Sequence, residues 1–229
     1  MTAHDTYAPM TAPRTRGRAT LILAALGFVL CYLSVDLVAL NLASSDLPMP
    51  NAPVAKAQAW FAENQLAETV AGLCQFLSVA CLGLFAIQLR KVTTSHRQAA
   101  AVRRATPWGL AAVALMMLSS GFAWLLAGLA PSASGDMVSF LRTANFIAGG
   151  AAHVLALGLF VLLASRIPGT SKPIRVLAYV AATPAVLSLV SLVWFQGAVF
   201  ILLGRLLCMI WTISAAVSVT RRLAKGAWN

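Results

Sequence analysis

Arg205 stands in the stretch LLGRLLCMIW, inside the run Gly197 to Val219, which is otherwise uncharged. A guanidinium in hydrocarbon costs roughly 3 kcal/mol or more unless a partner compensates it, and a carboxylate held by two parallel N–H donors is the strongest partner a side chain can offer. Two acids fall inside apolar runs at a comparable level. Asp36 is about four residues from the far end of the first run, and Glu68 is near the start of the second. With Arg205 eight residues past Gly197, its backbone lies roughly 12 Å below the edge of the hydrocarbon. The three charges therefore fall in the same third of the membrane, and an Arg–carboxylate pairing among them is the expectation.

Periodicity adds three uncharged polar side chains. Glu68, Gly72, Gln75 and Gly83 lie near one helical stripe; Asn145, Gly149, His153 and Ala156 form another within NFIAGGAAH; Arg205, Cys208 and Thr212 form a third. Small residues on these stripes let helices approach closely, so these faces should point into a bundle, with His153 near the midplane. The resulting candidate cluster is Asp36, Glu68, Gln75, Asn145, His153 and Arg205. Three readings of it are open: the groups fasten helices together and fix their rotation, they line a polar site for a ligand or ion, or Arg205 snorkels unpaired to the surface. His153 is either a hydrogen-bonded packing residue or a proton or ligand group.

Patterns for catalysis are missing. There is no HExxH, no GxSxG and no P-loop, and the three histidines, His4, His96 and His153, are scattered. No acid/base pair or metal set is evident, so no catalytic residue, metal or cofactor is expected. Cys31, Cys74, Cys81 and Cys208 all fall inside apolar runs at spacings that suggest neither zinc nor redox chemistry. They read as small apolar packers.

The elements that must carry these residues follow from composition. The chain of 229 residues is 60% hydrophobic and 10% charged, with a mean hydropathy of +0.82, far from the roughly 45–50% apolar and 25% charged typical of soluble domains. Six runs, at about 19–42, 66–89, 108–130, 143–165, 175–195 and 197–219, reach the roughly 20 residues needed to cross a bilayer as a helix. The net charge of +11 is placed by topology, not by nucleic acid. Arg14, Arg16 and Arg18 precede the first run, Arg90 to Arg104 separate the second from the third, Arg166, Lys172 and Arg175 separate the fourth from the fifth, and Arg221, Arg222 and Lys225 follow the sixth. Asp46, Glu63 and Asp136 fall in the alternate loops. The positive-inside rule puts both termini in the cytoplasm. The first run reads as a retained helix, because its uncharged core from Ala19 to Val35 exceeds a signal-peptide h-region.

Between these runs, residues 1–18 read as a disordered basic tail and 220–229 as a second basic tail. Prolines at 48, 50 and 53 forbid helix after the first span. VAKAQAWFAENQ then reads as helix, either lying along the outer interface through Trp60 and Phe61 or extending the second span. Pro107 is a first-turn residue for the third helix, IPGTSKP is a turn, Pro184 should kink the fifth helix, and Trp194 to Gly197 leave room only for a tight hairpin. No internal repeat is evident.

The sequence thus specifies an all-α polytopic membrane bundle of six transmembrane helices, residues 19–219, with cytoplasmic N and C termini. Arginine outnumbers lysine thirteen to four, a composition that suggests a bacterial cytoplasmic membrane. The expected partners are the lipid bilayer, anionic lipid headgroups at the cytoplasmic loops, and a membrane-protein partner or a second copy; no nucleic acid is expected. The function expected is a non-enzymatic accessory or regulatory role, with small-solute transport through the polar cluster as the alternative.

Overall fold

The structure, a computed structural model, describes residues 12–49, 51–93 and 96–224. These fold into α1 (Ala12–Leu42), α2 (Val54–Glu63), α3 (Gln65–Val92), α4 (His96–Leu129), α5 (Gly135–Asn145), α6 (His153–Ala164), α7 (Lys172–Leu187) and α8 (Ala198–Ala224). A π-helical turn, Phe146–Ala152, joins α5 to α6, and short 3-10 turns join α7 to α8. No strand occurs among the described residues. Six helical segments are long and apolar enough to cross a membrane: Gly17–Leu42, Gln65–Val92, Gln98–Leu129, Gly135–Ala164, Lys172–Leu192 and Phe195–Ala224. Helices are the form such runs must take, because hydrocarbon offers no partner to a free N–H or C=O.

The spans run up and down, and each packs on the next in a ring. α1 lies on α3, α3 on α4, α4 on α6, α6 on α7, α7 on α8, and α8 returns to α1. The main packed cluster of the interior is apolar. Phe160 stands edge-on to Phe85 at 6.2 Å and to Trp211 at 6.3 Å between ring centroids. Leucines 23, 30, 37 and 40 of α1 are exposed, as a lipid-facing surface should be. Close approach depends on small residues, most sharply where α6, α7 and α8 meet. A Cβ on Gly158 would lie 2.4 Å from Cβ of Ala185, and one on Gly204 would lie 2.8 Å from the Cα and N of the same alanine.

Several elements depart from the sequence reading. α1 starts at Ala12, so the expected tail of residues 1–18 is helical in its last part, with Pro13 in the first turn where its missing N–H is harmless. Residues 1–11 lie outside those described. The C-terminal tail is likewise helical as far as Ala224, and 225–229 lie outside the described residues. Pro107 is not a first-turn residue. α4 is 34 residues long and carries Pro107 in its interior, so most of the expected basic loop is helix. Pro184 lies inside the fifth spanning helix, as expected, and the α-helix continues to Leu187 before tightening into a 3-10 turn over Ser188–Leu192. The tight hairpin is present, closed by the Gly197 amide donating to the Trp194 carbonyl at 2.9 Å.

The segment before the second span is a separate helix, α2, packed on the bundle. Its Trp60 and Phe61 are buried with Leu126, Val138 and Leu141, so they do not form a lipid-facing belt. The break from α3 falls at Asn64, whose buried amide accepts from the Ser44 N–H at 2.7 Å and donates to the Trp60 carbonyl at 2.9 Å. One side chain thus ties the start of the loop after α1, through the Ser44 N–H, to the last turn of α2, where the Trp60 carbonyl also accepts the Asn64 backbone N–H at 2.9 Å. The bundle has a basic end, bearing Arg18, Arg90, Arg166 and Arg222, and an acidic end, bearing Asp46, Glu63 and Asp136.

Candidate intramembrane polar site

α8 carries Arg205 about ten residues along its span from Phe195, roughly 15 Å by helical rise. The residue is only 9% exposed. Its Nη2 donates to the Gly149 carbonyl, its Nη1 donates to the Tyr32 hydroxyl, and its guanidinium carbon lies 4.8 Å from the centroid of the tyrosine ring. Among the described residues, no carboxylate is bonded to it. The expected Arg–carboxylate pairing is therefore replaced by a carbonyl, a phenol and an aromatic face.

The π turn explains why a carbonyl is free to take this role. The His153 amide, which in an α-helix would bond the Gly149 carbonyl four residues back, bonds Ala148 and Gly150 instead. A wide turn of this kind releases acceptors into the bundle, which is why such turns gather at specialised sites. At Gly149 the π turn also lies close against α4, since a Cβ there would fall 2.1 Å from Ser119 Oγ. The magnitudes are adequate without a carboxylate. Hydrogen bonds to a charged group contribute roughly 1.5–3 kcal/mol each and a desolvated cation–π contact about 2, against roughly 3 kcal/mol for an arginine at depth.

The other members of the cluster separate into three places. Asn145 and His153 join Arg205 through the π turn and its flanks. Ser119 donates to Asn145 Oδ1 at 2.6 Å, and His153 Nδ1 is 2.8 Å from the Ala112 carbonyl, fastening α6 to α4. Cys208 and Thr212 follow Arg205 on the buried face of α8, with Thr212 Oγ1 donating to the Cys208 carbonyl at 2.8 Å. Gln75 is on the stripe of α3 that faces α4, where Gly72 meets Trp124 and Gly83 meets Val113. Its Oε1 is buried without a partner among the described residues, as is Nε of Arg205.

Glu68 and Asp36 lie apart from the arginine. Glu68 lines a cavity of about 150 Å³ at the acidic end, together with Phe61, Leu126, Arg142, Asn145 and Phe146. Arg142 reaches from that cavity to the backbone carbonyls of Met49 and Ala52 at 2.9 and 3.3 Å, which ties down the loop before α2. Asp36 lies one turn beyond Tyr32 on α1 and is exposed. Tyr32, Ser119 and the Gly149 carbonyl are the participants that charge counting misses. Two signals point to them: Tyr32 is at the level of Arg205 on an antiparallel neighbour, and the Gly149-Gly150 pair sits in the middle of a span. Among the described residues, no three His, Cys, Asp or Glu side chains converge as metal ligands would.

Six apolar spanning helices closed around a buried arginine define a multi-pass α-helical membrane protein. In comparisons with known proteins, the chain matches no protein family, no curated protein and no solved structure.

Proposed function

We propose that this chain is a non-enzymatic accessory or regulatory protein of a bacterial plasma membrane, with both termini cytoplasmic, acting through its helix surfaces and loops. The observation that carries the reading is the engagement of Arg205. Its guanidinium is held by the Gly149 carbonyl and the Tyr32 hydroxyl and stacked on the Tyr32 ring. A charge so engaged fixes the rotation of α8 against α1 and α6, and it is not aimed at a substrate. The basic loops suit anionic headgroups of the surrounding bilayer, and a partner would be another membrane protein or a second copy.

The cavity at the acidic end favours a second reading, a small-solute transporter. Glu68 and Asn145 line it, and Asn145 bonds Ser119, which abuts Gly149. A solute entering there would have a polar route toward Arg205. The two readings differ in whether water reaches that depth, and Cys208, one turn beyond Arg205 and fully buried, reports on it. In full-length protein with Cys31, Cys74 and Cys81 replaced, a small membrane-impermeant thiol reagent should leave Cys208 unmodified. Modification of folded protein from the acidic side would sink the accessory reading in favour of transport.

A further inference from the structure

At the basic end, a groove of about 510 Å³ opens between the start of α7 and the last turns of α8. Arg221 and Arg222 stand at its rim with Ser171, and Ile174, Ile213 and Val217 form its walls. Neither arginine bonds another described residue. Ser171 is the N-cap of α7, yet its hydroxyl makes no capping bond among the described residues, so the Lys172 and Ile174 amides of the first turn have no side-chain acceptor there, Pro173 between them having no N–H. Donors from two helices therefore surround one opening, and no carboxylate lines it.

Below the rim the chemistry changes. Arg221, Val217 and Ile213 follow one another at intervals of four residues, which places them on one face of α8 along roughly 12 Å of helix. Ile174, one turn after Ser171, faces the same space. A narrower apolar cleft shares Arg222, Ser218 and Ile174 with the groove and continues past Leu89 and Trp211. The occupant this arrangement fits has a phosphate at one end and an alkyl chain at the other. We propose that the groove is a binding site for one anionic phospholipid, its phosphate between Arg221, Arg222 and Ser171 and an acyl chain along Ile174, Val217 and Ile213. Two unpaired guanidiniums favour a headgroup with net negative charge over a zwitterionic one, whose own ammonium already neutralises its phosphate. The inference rests on the reading that the basic end meets lipid headgroups, and narrows it to one groove.

The test uses full-length protein in a neutral detergent, with native mass spectrometry to count bound lipid and thermal denaturation to measure stabilisation. Dioleoyl phosphatidylglycerol, phosphatidylcholine with the same chains, and inorganic phosphate are the three probes. Phosphatidylglycerol should be retained at one molecule per chain and raise the Tm, and the other two should not. Arg221→Gln with Arg222→Gln should weaken phosphatidylglycerol binding about thirtyfold, at about fivefold per arginine near a charged surface. Arg90→Gln with Arg103→Gln removes equal charge from the same end outside the groove and should leave affinity within about twofold. If Arg222→Gln, at a partly buried position, lowers the folded yield, the exposed Arg221→Gln alone should still show the fivefold loss. Equal losses in the two pairs would remove the groove and leave general surface attraction standing. No preference for phosphatidylglycerol in the unaltered protein would reject both. Stabilisation by phosphate alone as large as that by the lipid would make this an anion site with no lipid role.

Discussion

Arg205 and Tyr32 are joined twice, by a hydrogen bond from Nη1 to the phenol oxygen and by stacking of the guanidinium carbon 4.8 Å from the ring centroid. The pair links the last span to the first. At the basic end Arg18 makes a second link between the same two helices by donating to the Leu223 carbonyl. The ring is closed by polar contacts at two levels, with apolar packing between them. An antiparallel pair held at both levels cannot rotate about either axis without breaking one of the links.

The Arg205–Tyr32 contact should appear as energetic coupling. In a double-mutant cycle on thermal stability, Arg205→Leu and Tyr32→Phe should be non-additive by about 1–2 kcal/mol. Arg205→Leu combined with Glu68→Gln should be additive within about 0.5 kcal/mol, because Glu68 faces the cavity at the acidic end. Coupling to Glu68 and none to Tyr32 would restore the Arg–carboxylate arrangement.

Gly149 has two roles that one methyl would disrupt. Its added Cβ would overlap Ser119 Oγ at 2.1 Å, and the displaced helix would move the carbonyl that accepts from Arg205. Gly149→Ala should therefore lower stability by roughly 3 kcal/mol, at the upper end for overpacking. Gly121→Ala and Gly128→Ala, where a Cβ would meet nothing within 4 Å, should not lower it. Melting curves of the three variants in detergent compare them directly.

The crossing of α6 and α7 gives a rescue experiment. Gly158→Ala would place its methyl 2.4 Å from that of Ala185, and a loss of about 1–3 kcal/mol is expected. Ala185→Gly removes the opposing methyl and should recover most of the folded yield when combined with it. Gly204→Ala should be rescued poorly by the same change, because its nearest atoms are the Cα and N of residue 185, which remain. Equal rescue of both would contradict the packing.

Orientation is tested by labelling. In a cysteine-free background, Ser132→Cys and Gln196→Cys at the acidic end should react with an impermeant reagent outside intact cells, and Thr170→Cys at the basic end should not. Reaction at position 170 with protection at 132 and 196 would turn the protein over.

The six spans were legible because hydropathy is a local property: each run must satisfy its own backbone in hydrocarbon whatever its neighbours do. The hairpin at Trp194–Gly197 was legible for the same reason, since too few residues separate two runs for any other path. Pro107 and the last part of the tail before residue 19 were misjudged because helix ends depend on weak local preferences, which a long apolar helix overrides by continuing. The faces carrying Asn145, His153 and Arg205 were also readable from periodicity, and all three participate in the contacts around the π turn or along its flanks. The partner of Arg205 was not readable. Matching charges by depth pointed to Asp36 and Glu68, but depth along a helix leaves its rotation open, and rotation is decided by side-chain packing against neighbours distant in sequence. Gly149 against Ser119 draws α5–α6 onto α4, the π turn frees a carbonyl, and Tyr32 comes from a helix 173 residues away. A backbone acceptor has no signature in a sequence, because every residue carries one and only the folded helix shows which is released.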